Sequence, residues 1–114
     1  MKKAFKPEEL ADLFLEYANT ANLEGLVSLY EDDAILITTK EDSIARGKIE
    51  IRNFYSKLFA GNPKFEKGYQ QQPIINGNIS LTSSKLVNGR TTAEVARKQA
   101  DNSWQWIIDQ PSIC

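Results

Sequence analysis

Asp109 closes the run Trp104-Gln105-Trp106-Ile107-Ile108-Asp109. A carboxyl set among apolar residues is pushed toward the pKa of a general base, which makes Asp109 a candidate catalytic residue. The competing reading is an acid on the outer side of its strand, paired with Lys98 or an adjacent backbone group. Arg97 lies a turn away from two tryptophans, and an arginine flanked by such rings could bind a carboxylate or phenolate or stack on a ring. Its plainer use is a stem packed on tryptophan with the head in solvent or on an acid. Tyr17, Tyr30 and Tyr55 end or sit within apolar stripes at helical spacing. Such tyrosines are core residues with the hydroxyl at an edge, where it can reach a pocket. Tyr17 is the second catalytic candidate, with Tyr30, Tyr55, Gln99, Trp106 and Arg97 as ligand contacts. Trp104 and Trp106 are two apart on a strand and share a face as core or pocket wall.

The missing residue types narrow the chemistry further. The chain has no histidine and one cysteine, Cys114. Ser-His-Asp and Cys-His pairs, HExxH zinc sites and thiolate clusters are therefore excluded, and acid–base work falls to Asp, Glu, Tyr or Lys. The carboxylates are not grouped at calcium-loop spacing, so no metal site is expected, and no cofactor. Adjacent Asp32-Asp33 point opposite ways at a strand entrance and suit a solvated turn. Fourteen Lys and Arg against fifteen Asp and Glu give a net charge of −1, with the basic residues scattered, so nucleic-acid binding through phosphate neutralisation is not supported. No apolar run approaches the roughly 18 residues of a membrane span. Met1-Lys2-Lys3-Ala4-Phe5-Lys6 leads into Pro7-Glu8-Glu9 without a signal-peptide core, so a cytoplasmic protein is expected.

Helices come first in the pattern and strands after. Pro7 suits a first helical turn, and Leu10, Leu13, Phe14, Tyr17 and Ala18 form one stripe. Asn22 can cap a second helix with the stripe Leu23, Leu26, Val27 and Tyr30. Ala34–Ile37 reads as a buried strand, Lys40-Glu41-Asp42 as its turn and Ser43–Arg46 as a short partner. A third helix follows Gly47, with Ile51, Phe54, Tyr55, Leu58 and Phe59 in its stripe, and Gly61-Asn62-Pro63 stops it. Asn76-Gly77 and Asn88-Gly89 are type I′ hairpin signals, and Asp101-Asn102-Ser103 marks a third turn. Four strands result, near 64–75, 78–87, 90–100 and 104–110, in an antiparallel meander. Residues 1–114 form a single α+β domain, with three helices in the N-terminal half packed on the sheet.

Several stretches carry a family resemblance: Tyr17-Ala18-Asn19, Leu26 through Ala34 with its Leu29-Tyr30-Glu31-Asp32-Asp33-Ala34 core, and Arg46-Gly47 through Ile51-Arg52-Asn53-Phe54-Tyr55. Ile75-Asn76-Gly77, Glu94-Val95-Ala96-Arg97 and the closing Trp104 to Pro111 continue it. Over almost its whole length the chain resembles the SnoaL-like, ketosteroid-isomerase-related branch of the nuclear transport factor two superfamily. The resemblance implies a curved, mostly antiparallel sheet around a long helix, a cone with an apolar pocket at its open end, and a homodimer formed through the outer sheet face. The superfamily includes isomerases, dehydratases, polyketide cyclases, epoxide hydrolases and members that only bind or assemble, so the fold does not name a reaction. In that family the isomerases use a general-base aspartate with a tyrosine and a protonated aspartic acid at the oxyanion. Without gaps those positions fall on Thr38, Phe14 and Val95, which disfavours ketosteroid isomerisation; a three-residue gap moves the tyrosine to Tyr17.

Pairing Ala100 with Ser103 across the last turn puts Val95, Arg97, Gln99, Trp104, Trp106 and Ile108 on one face, and Glu94, Ala96, Lys98, Gln105, Ile107 and Asp109 on the other. The family analogy turns the Arg97 face toward the pocket. A one-residue slip would exchange Arg97 and Asp109 between faces. Two functional readings stand. One is a pocket that binds a small hydrophobic carbonyl- or carboxylate-bearing molecule, with turnover by cofactor-free acid–base chemistry of the isomerase, dehydratase or cyclase type. The other is a non-catalytic dimeric interaction or assembly module with a vestigial pocket.

Overall fold

In the computed structural model the described residues are 1–38 and 43–113; the Lys40–Asp42 turn and Cys114 fall outside them. Helix α1 spans Glu9–Asn19, and the Glu9 carboxylate accepts the N–H groups of Phe5 and Lys6 at 2.8 and 3.2 Å, bracing its entry. Leu10, Leu13, Tyr17 and Ala18 are its buried stripe. Helix α2 is only Leu23–Val27, with Asn22 Oδ1 accepting the Gly25 N–H at 2.9 Å as the expected cap. The stripe expected to run on to Tyr30 stops short. Ser28 ends the helix with its hydroxyl on the Gly25 carbonyl, and Tyr30 instead opens strand β1, Tyr30–Ile37. Strand β2, Ile44–Arg46, returns antiparallel to β1, and α3 runs from Gly47 to Ala60 with Ile51 and Tyr55 buried.

The C-terminal half is more broken than four strands. It holds β3 Tyr69–Gln70, β4 Ile74–Asn76, β5 Ile79–Thr82, β6 Ser84–Lys85, β7 Ala93–Lys98 and β8 Trp104–Gln110. The main sheet has the order β2-β1-β8-β7-β5-β4, antiparallel except for β1 beside β8, while β3 and β6 form a separate two-stranded ribbon. The first long strand fails because Gly68 lies so close to the partner backbone that a Cβ there would stand 2.5 Å from the Lys85 carbonyl oxygen, and Pro73 precedes β4. All three hairpins are present, but none is a type I′ turn. Asn76 pairs Ile79 around Gly77-Asn78, with positive φ at Gly77 alone, as in a type II′ turn. The other two are three-residue loops, each ending on a left-handed residue, Gly89 (φ 86°) and Asn102 (φ 70°).

The last loop decides which way the site residues face. Gln99, not Ala100, lies opposite Ser103, its N–H donating to the Ser103 carbonyl at 2.7 Å. That one-residue change puts Trp104 opposite Lys98 and Trp106 opposite Ala96. A bulge then lets Ile108 pair Val95 and Asp109 pair Glu94, so one residue is skipped between Trp106 and Ile108. Trp104, Trp106 and Asp109 therefore all face inward with Ala96 and Glu94, and all five are buried. The expected assignment of Arg97, Gln99 and Val95 to the pocket face, and of Asp109 and Glu94 to the outer one, is reversed.

The inward face closes over Tyr30, Leu36, Ala96, Trp104 and Trp106, with Leu10, Leu26 and Ile51 from the helices packed against it. Tyr17 lies against Gly25, where a Cβ would stand 2.6 Å from the ring, so a glycine is required for α1 and α2 to meet. The outward face carries an apolar row across five strands in direct register, Ile74, Leu81, Val95, Ile108 and Ile35. Ile74, Leu81 and Ile108 are 64%, 44% and 42% exposed. No helix among the described residues is long and apolar enough to cross a membrane.

Candidate functional site

A cavity of about 370 Å³ opens between α1, α3, the β3–β6 ribbon and the inward face of β7 and β8. Phe14, Tyr55, Phe65 and Trp106 line it together with Glu94 and Asp109. Phe14 is the hub of the aromatic wall, its ring centre 6.0 Å from Tyr55, 5.7 Å from Phe65 and 6.1 Å from Trp106, within the range of edge-to-face attraction. Each polar group arrives on a different element: α3 brings Tyr55, β7 brings Glu94, and the bulged end of β8 brings Asp109.

Asp109 is 6% exposed and accepts a 2.5 Å hydrogen bond from the Tyr30 hydroxyl, which is itself 2.8 Å from the Tyr55 hydroxyl. The chain Tyr55–Tyr30–Asp109 thus leads from one cavity wall, behind the surface, to the other. Burial pushes the Asp109 carboxyl up to about 7, the charge of Glu94 adds to this, and the Tyr30 hydrogen bond opposes it. Burial likewise holds both tyrosines well above the ordinary phenol range, reinforced by the Asp109 charge. Glu94, 7% exposed, faces Asp109 directly across the β7–β8 ladder. Burial raises its pKa against hydrogen bonds from Thr92 and Thr82, the latter at 2.8 Å to Oε1. The Trp106 indole N–H is buried without an acceptor among the described residues.

The structure thus brings together Asp109, Trp106, Tyr55 and, one bond behind the surface, Tyr30. Arg97 and Gln99 lie on the outer face instead, gripping Glu31 Oε2 at 2.9 and 2.7 Å, and the Arg97 side chain is half exposed. The loop length is the cause, since the extra turn residue inverts the alternation of β7 relative to β8. Tyr17 is a clamp on the N-terminal segment: its hydroxyl donates to the Lys2 carbonyl at 3.1 Å and accepts the Lys2 N–H at 2.9 Å, away from the cavity lining. Of the three positions expected to replace the isomerase acids, Phe14 is in the cavity wall, Val95 is in the outer apolar row, and Thr38 donates its N–H to the Ser43 carbonyl at the sheet edge. Glu94 and Phe65 were missed as site residues. The charge of Glu94 in the run Ala93-Glu94-Val95-Ala96 was the available signal, but its facing depends on the register. Among the described residues no group of three or more Asp, Glu or Cys side chains could hold a metal ion.

No protein-family model and no curated protein sequence matches the chain. Solved structures do match it. A Thiobacillus denitrificans protein named for the calcium/calmodulin-dependent protein kinase type II association domain superposes with a TM-score of 0.76 at 15% identity, covering 96% of each chain. A Nostoc punctiforme protein of unknown function with a cystatin-like fold gives 0.71 at 19% identity over 91% of this chain and 85% of that one. A ketosteroid isomerase-like protein from Erwinia carotovora atroseptica gives 0.68 at 20% identity over 90% and 88%. At these identities the likeness concerns the backbone, which agrees with the resemblance carried by the sequence. The chain therefore has the cystatin-like α+β fold, three helices on a mostly antiparallel mixed sheet, shared by nuclear transport factor two-like and ketosteroid isomerase-like proteins.

Proposed function

We propose that the cavity binds a small, largely apolar molecule and exchanges a proton with it through Asp109, without a cofactor. The observation that carries this is the buried Asp109 carboxyl in the wall of an aromatic cavity, tuned to about 7. A general acid–base group works best when its pKa lies near the operating pH. Tyr30 fixes the orientation of that carboxyl through its hydrogen bond to Oδ2. Arg97 has no part in this, so the carboxylate-bearing ligand loses its counter-charge. The test uses 2-indanone in D₂O: the protein should perturb the NMR signals of Phe14, Tyr55 and Trp106 on binding and accelerate α-deuteration, and Asp109→Asn should keep the first effect and lose the second. Absence of both effects would remove the proposal.

The outer apolar row favours a second role beside the first: self-association of two copies through this sheet face. Five apolar residues in register, three of them well exposed, form the continuous apolar patch that such an interface needs at its centre. The Thiobacillus denitrificans neighbour named for an association domain supports it. Sedimentation equilibrium should give a dimer that Leu81→Lys converts to a folded monomer; a monomeric parent protein would rule it out.

A further inference from the structure

Every charged cavity residue that is buried is an acid. Glu94 and Asp109 are 7% and 6% exposed, whereas Asp12, Lys64, Glu66 and Lys67 sit exposed at the mouth. The mouth lysines are engaged elsewhere, Lys67 lying 3.5 Å from Asp12 and Lys64 donating to the Asn19 carbonyl at 3.3 Å. The nearest candidate cation by sequence, Arg97, is on the other side of the sheet and bound to Glu31. Two facing carboxyls in a low-dielectric site repel each other when both ionise, and a cation placed between them removes that repulsion. The rings around them, Phe14, Tyr55, Phe65 and Trp106, add an attraction for cations that they do not offer to anions.

We infer that the ligand of this cavity is an apolar amine, its ammonium seated on Glu94 and Asp109 and its hydrocarbon body against Phe14 and Phe65. This rests on the cavity being a ligand site, as proposed above, and names the class it selects. Anions of the same shape are excluded by the acid pair, and neutral analogues bind but lack the ammonium contact.

A matched ring series tests it by NMR titration of the whole chain: 1-amino-2-indanol, 2-aminoindane, 2-indanone and indane-2-carboxylate. The two amines should bind tightest, about tenfold or more ahead of the neutral ketone, with the carboxylate weakest. Glu94→Gln and Asp109→Asn should each weaken the amines about tenfold and leave the ketone within about twofold. Because both are near-isosteric, unchanged ketone binding also certifies that the variant is folded. Equal or tighter binding of the carboxylate, or a ketone that matches the amines, overturns the inference while leaving the cavity a ligand site. Failure of the whole series to bind overturns both.

Discussion

Replacing Asp109 by asparagine removes one ionisation and little else, since the amide keeps the shape and can still accept the Tyr30 hydroxyl proton. In the folded protein the Asp109 carboxyl titrates at about 7 rather than its ordinary 3.8. A raised carboxyl pKa means that the folded state binds more protons than the unfolded state between those values, so stability falls as pH rises from about 4 through about 7. At about 1.36 kcal/mol per pH unit the full span is about 4 kcal/mol, of which about 2.5 kcal/mol falls between about pH 5 and about pH 8. Glu94 is raised too and contributes a decline of the same sign, but burial and the threonine hydrogen bonds set its value, so it persists in the variant and cancels in the difference. Urea unfolding followed by the fluorescence of Trp104 and Trp106 at several pH values measures both proteins. The stability of Asp109→Asn relative to the parent should improve by about 2.5 kcal/mol from the acidic to the alkaline end. Two parallel curves would show that Asp109 ionises in the folded protein as it does in water, and the acid–base reading would fall with it.

Other substitutions probe the same framework. Tyr30→Phe removes the hydrogen bond that opposes the rise of Asp109, so the decline in stability should extend to higher pH in the same unfolding series. Gly25→Ala drives a methyl into the buried Tyr17 ring and should cost about 1–3 kcal/mol, read as a lower urea midpoint with unchanged slope. Arg97→Ala breaks only an exposed ion pair with Glu31, so it should change stability by less than about 1 kcal/mol and leave indanone binding untouched in the NMR titration.

Helix periodicity made α1 and α3 legible, because an amphipathic stripe such as Leu10-Leu13-Tyr17 survives an error of a residue or two at the ends. Strands are less forgiving. Side chains alternate with period two, so the extra residue in the Ala100–Asn102 loop was enough to send Arg97 outward. The bulge after Trp106 compounded this, since it lets Trp106 and Asp109, three apart, share a face that regular alternation denies them. Asp109 could be picked out by its apolar company, but not the carboxyl facing it, because Glu94 sits in an ordinary alternating strand. Tyr30 looked helical by spacing, and only the early end of α2 at Val27 puts its hydroxyl beside Asp109.

The most direct test is the side-chain carboxyl carbon of Asp109 followed by NMR across the pH range, assigned by its loss in Asp109→Asn. A midpoint near 7 is the predicted result. A midpoint near the ordinary 3.8 would contradict the account, because the cavity would then hold a fully ionised aspartate with no proton to exchange at neutral pH.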